Sequence, residues 1–145
     1  MALTTGQIME YGEKKALATI TGSVQSAVTT YLALVTAAPA SGADLTMAAY
    51  AASEFSTSDG YARQPYVAGP PTSAAPSVIG NSSTITFGPI TGSAPGTATW
   101  AILTDTGSGT SGNVIASYLL TNPRTPLVND SLIAAANAFT VSFTA

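Results

Sequence analysis

The chain has 145 residues, enough for one domain that buries a single core without a disulfide or metal to hold it. Only 8% of the residues are charged, against about 25% in an ordinary soluble domain, while 46% are apolar and the mean hydropathy is +0.31. The net charge of −3 and the four cations leave too little positive charge to neutralise nucleic-acid phosphates or to seek an anionic membrane, and the lack of His and Cys removes imidazole catalysis, zinc and iron–sulfur sites and disulfides.

In the first segment, Thr4 followed by Gln7 has the form of a capping box, and Glu10 with Lys14 makes a favourable i,i+4 pair. The pattern predicts a helix from about Thr5 to Leu17, weakened by Gly6 and Gly12. Ile8, Met9, Tyr11, Leu17 and Ile20 do not fall on one stripe, so residues 1–28 read as an N-terminal arm or short helix that either docks on a neighbour or caps one end of a β-domain.

From Thr29 the texture changes to short β-branched and aromatic runs separated by Gly, Pro, Asn and Ser. Strands are predicted at 29–35, 61–67, 81–87, 97–105, 113–120, 127–128 and 138–144, with Pro65 pushing its strand to a sheet edge and Thr84 and Thr86 facing away from Ile85 and Phe87. Asp44 is positioned to cap a short helix within 43–55, and Asp105 to Asn113, DTGSGTSGN, reads as a hairpin connection. The expected fold is therefore all-β, a single β-sandwich or jelly-roll-like domain over 29–145. No run approaches a membrane span and the N-terminus lacks a signal-peptide apolar run, which predicts synthesis in the cytoplasm without export by that route.

The remaining chemistry is that of carboxylates. The acids fall mainly in loops and strand ends with no aromatic-lined groove apparent, and the hairpin carries neither a calcium-loop ligand pattern nor a phosphate-loop lysine. No catalytic, cofactor or metal residue is expected, and the chain reads as a non-enzyme. Arg63, inside an otherwise apolar strand, is expected to tie strands or loops together through carbonyls or a carboxylate such as Asp105 or Asp59. Trp100 is expected in the core with Ala98, Ile102, Phe87, Phe139 and Phe143. Partner contacts are expected from Ile8, Tyr11, Lys14 and Lys15 on the arm, and from Tyr50 and Phe55 in the 47–59 insertion.

Four stretches carry a family resemblance: Tyr31 to Pro39 (YLALVTAAP), Gly60 to Gln64 (GYARQ), Trp100 to Asp105 (WAILTD) and Thr121 to Pro126 (TNPRTP). In order and spacing they resemble small bacteriophage virion structural proteins of the tail-fibre-like, minor structural or head-decoration kind, and GYARQ is the most specific piece. The chain departs from that pattern in the insertion, in Pro65 and in the long N-terminal arm. The resemblance implies a virion component with a β-sandwich fold. Its expected role is a capsid decoration protein that binds the major capsid protein or other virion proteins and self-associates, with a tail-fibre protein or host-surface carbohydrate-binding module as the alternative.

Overall fold

The computed structural model describes residues 3–8, 10–23, 28–38, 45–72 and 78–142, so the expectations for Met9, Asp44 and Phe143 lie outside the described residues. Its centre is a five-stranded antiparallel sheet in the order β1-β7-β6-β2-β3. The strands are β1 (Leu3–Ile8), β2 (Thr30–Val35), β3 (Gln64–Tyr66), β6 (Ala98–Thr104) and β7 (Val114–Arg124). Two ribbons complete the chain: β4 (Val78–Gly80) with β9 (Thr140–Ser142), and β5 (Ile85–Phe87) with β8 (Leu132–Ala134). The all-β expectation holds, with one α-helix among the described residues, α1 (Glu10–Ile20), near the N-terminus.

Side chains alternate across a strand, and β2 and β6 are apolar in both directions because both sheet faces are covered. On one face Leu32, Leu34, Ala101, Leu103, Tyr118 and Leu120 pack with Ile85, Phe87, Leu132, Ala134 and Phe139, which belong to or flank the ribbons. On the other, Ala33, Val35, Ile102 and Val114 meet Met47 and Tyr50, with Trp100 partly buried beside them. The expected single cluster of Trp100 and Ile102 with Phe87 and Phe139 is thus corrected: those two residues face away from the ribbons. As expected, Ile85 and Phe87 point inward and Thr86 outward.

The N-terminal helix starts later than the capping-box pattern indicates. Residues 3–8 pair with β7 instead, Ile8 opposite Ala116 and Leu3 opposite Leu120, with a register shift at Thr4/Gly6 where glycine fits a bulge. Gly12, which looked like a weakness in the helix, is what lets it lie on β7: a Cβ there would stand 2.6 Å from the Ile115 carbonyl oxygen. Leu127 and Val128, expected as a strand, form an exposed turn closed by the Asp130 carboxylate, which accepts from the Leu127 N–H at 2.9 Å; the strand follows at Leu132. Pro65 does sit on an outer strand, as its missing N–H requires.

The insertion wraps the sheet rather than projecting from it. Residues 45–47 pair with the start of β7, with Val114 N–H donating to the Leu45 carbonyl and Met47 N–H to that of Gly112. A short 3₁₀ turn (Met47–Tyr50) then crosses one face, and residues 53–55 run beside the end of β2. Tyr50 and Phe55, expected as exposed contacts, are 1% and 3% exposed; they are core residues of opposite faces, because an insertion rich in apolar residues is more stable folded onto an apolar sheet than in water.

Candidate functional site

The segment GYARQ organises one end of the molecule. Gly60 adopts φ 79°, and a side chain at this position would collide with Thr91 Oγ1 and the Pro89 carbonyl, so only glycine admits the chain here. Tyr61 then enters the core, edge-on to Phe55 and stacked on Phe87. Its hydroxyl accepts from the Leu34 N–H at 2.8 Å, just past the point where pairing of β2 with β3 ends at Leu32 and Gln64, and so satisfies a strand donor that has no strand partner there. Burial, then the neighbouring Glu54 carboxylate, push the Tyr61 pKa far up, so the group is a neutral hydroxyl.

Arg63, 8% exposed, is the hub. Its Nε and Nη2 donate to the two carboxylate oxygens of Glu54, each at 2.7 Å, while Nη1 donates to the Thr106 carbonyl at 3.1 Å and Nη2 also to that of Gly109 at 2.7 Å. The expected tie through carbonyls is present, but the carboxylate is that of Glu54. Asp59 and Asp105 are committed elsewhere: Asp59 accepts from the Ser93 N–H at 2.9 Å, and Asp105 takes the backbone and side-chain N–H groups of Asn113, each at 2.7 Å. Glu54 was legible only as an acid near the end of the insertion; its pairing needed the register of residues 53–55 beside β2.

The consequence is a rigid 105–113 loop despite its Gly-Ser-Thr composition. Arg63 holds two of its carbonyls, the Asp105–Asn113 pair closes its base, and Thr106 Oγ1 donates to the Ser108 carbonyl at 2.9 Å. Between this loop and residues 51–57 lies an open cleft of about 390 Å³ with Arg63 and Glu54 among its lining and Ser56, Thr57, Ser108 and Thr110 at its rim.

A second concavity, of about 230 Å³, lies where α1 meets the sheet, lined by Tyr11, Gly12, Lys15, Thr19, Val28, Thr30 and Ile115. Of the arm residues expected to contact partners, Ile8 and Tyr11 are half-buried, Lys14 pairs with Glu10 at 2.9 Å on the surface, and the Lys15 ammonium lies 5.7 Å from the Tyr11 ring centre. Burial, then the nearby Asp105 carboxylate, raise the Tyr11 pKa. The large apolar residues that α1 does expose are Leu17 and Ile20, at 63% and 79%. No described helix is long and apolar enough to cross a membrane, and no cluster of potential metal ligands occurs among the described residues.

A search of curated proteins finds no match. The family model described as "Podophage GP4 fiber I protein gp80" matches residues 7–142, a span that includes α1, every strand after it and both walls of the cleft. The chain therefore belongs to the family of the podophage GP4 fiber I protein gp80 and is a structural component of a phage virion.

Proposed function

We propose that this chain is a subunit of the fibre apparatus of the phage particle, working by docking to other virion proteins and to copies of itself, without catalysis. The observation that carries this reading is the match of nearly the whole chain to a family described by a fibre protein. Two features support it. A chain with only 8% charged residues has few charges to desolvate and little repulsion to offer a neighbouring subunit. A sheet covered on both faces, with its 105–113 loop clamped by Arg63, is a stiff unit that docks with little ordering cost.

The second reading is a head decoration protein on the major capsid protein lattice, and the weakly charged, Ser/Thr-rich surface of a subunit that tiles favours it. Copy number separates the two. Quantitative mass spectrometry of purified particles, scaled to the major capsid protein, is expected to give a ratio of a few per cent or less, with antibody-gold label on the tail. A ratio within a few-fold of the capsid subunit moves the protein to the head surface, and absence from particles overturns both readings.

A further inference from the structure

We propose that the cleft between residues 51–57 and the 105–110 loop is a weak binding site for a neutral, polyhydroxylated ligand, a glycan of the surface the particle meets. The proposal rests on the fibre reading for its biological setting, although the site itself is argued from its chemistry.

Its size suits a few sugar units, since about 390 Å³ lies within the range of ordinary ligand clefts. Charge selects against ions. The guanidinium of Arg63 is neutralised by Glu54 through two bonds of 2.7 Å, so neither an anion nor a cation gains a free counter-charge. What the pair offers instead is an acceptor: 14% of the Glu54 side chain is exposed and its Oε2 accepts only the Nη2 donor among the described residues, whereas the Arg63 side chain, 4% exposed, is spent on Glu54 and the loop carbonyls. Such an acceptor beside side-chain hydroxyls is the complement of a polyol, whose hydroxyls each give and take a hydrogen bond. Those hydroxyls belong to Thr57, Ser108 and Thr110 in the lining, while Ser56 Oγ is already bonded to Ser58.

The geometry speaks against a peptide, because the walls are a turn and a loop and present no strand edge for main-chain pairing. The rigid loop limits the ordering cost of binding. Phe55 reaches the cleft but is 3% exposed, so no aromatic face is presented for stacking. Single-site affinity is accordingly weak, about millimolar, and becomes effective where many copies engage one surface together.

The test uses the full ¹⁵N-labelled chain titrated with neutral malto-, galacto-, rhamno- and chito-oligosaccharides, with polysialic acid and a Ser/Gly hexapeptide as comparisons. The expected result is saturable amide shifts at Ser56, Thr57, Ser108, Gly109 and Thr110 with at least one neutral sugar series. Ala62→Trp and Ala51→Trp fill the cleft from exposed positions on different segments, and each is expected to weaken that binding about tenfold or more with an unchanged thermal midpoint. Absence of shifts at these amides with every neutral sugar, equal binding by the Trp variants, or preferential binding of the polyanion or peptide overturns the proposal. None of these outcomes touches the fibre reading, which particle copy number and gold labelling decide independently.

Discussion

Arg63 and Glu54 are nearly removed from water, with 4% and 14% of their side chains exposed, and removing one partner strands the other. Arg63→Ala is expected to cost about 3 kcal/mol or more, and Arg63→Lys part of it, since an ammonium keeps the charge but not the planar fork that reaches both carboxylate oxygens and two loop carbonyls. Urea denaturation checks the ranking; a Lys variant as stable as the parent refutes the importance of the fork. That Arg63 would be tied down was readable from an arginine in an apolar run. The identity of its carboxylate was not, because Glu54 is brought to it by tertiary pairing of the insertion. Asn81 escaped notice for the same reason: it is buried, with its side chain donating to the carbonyls of Ser83 and Ala135, each at 2.8 Å, and accepting from the Phe139 N–H, yet as sequence it resembles any turn asparagine.

Helix α1 is an element whose local preference and tertiary role oppose each other. Gly12→Ala improves intrinsic helix propensity by about 1 kcal/mol, but the added Cβ would press on the Ile115 carbonyl at 2.6 Å, a backbone atom that cannot swing aside. The expected outcome is net undocking: hydrogen exchange speeds up across Glu10–Ile20 while β2 and β6 stay protected, and slower exchange in the helix contradicts the account. Apolar, β-branched and aromatic runs bounded by Gly, Pro, Asn and Ser made the long central strands legible. Short ribbons of three residues each were harder, since β4 and β8 owe their existence to the partners they meet and not to their own pattern. The strand at 3–8 was hidden because Thr4 and Gln7 fit a helix start equally well, and only the availability of β7 as a partner decides between the two. Tyr50 and Phe55 were placed on the surface by treating their segment as a projection from the domain, whereas the sheet beneath it is apolar on that side too.

Over the whole molecule, most of the groups whose pKa burial shifts among the described residues are tyrosines. Tyr11, Tyr50, Tyr61, Tyr66 and Tyr118 all have raised pKa values, chiefly through burial. A raised folded-state value means that the native protein holds these protons after the unfolded chain has lost them, so their contribution is fully present below about pH 10 and is lost as pH rises further. Unfolding midpoints are therefore expected to fall steeply above pH 10, by up to about 1.4 kcal/mol per pH unit for each of Tyr61 and Tyr118, with the tyrosinate absorbance rising together with unfolding. Tyr118→Phe is expected to reduce that slope and to stabilise the protein by about 1 kcal/mol at neutral pH, because its buried hydroxyl has no hydrogen-bond partner among the described residues. Attachment to the particle should be insensitive to ionic strength: with four cations and seven acids, occupancy in 0.1 M and 1 M NaCl is expected to match although the screening length falls from about 10 to about 3 Å, and salt-driven release contradicts docking by uncharged surfaces. The same scarcity of charge makes the outer strands important before assembly. The β3 edge is three residues long and interrupted by Pro65, so that flank offers no long row of main-chain groups to a second molecule. Copies that accumulate before assembly find little backbone on that flank to zip into fibrils, which leaves side-chain surfaces there to choose their neighbours.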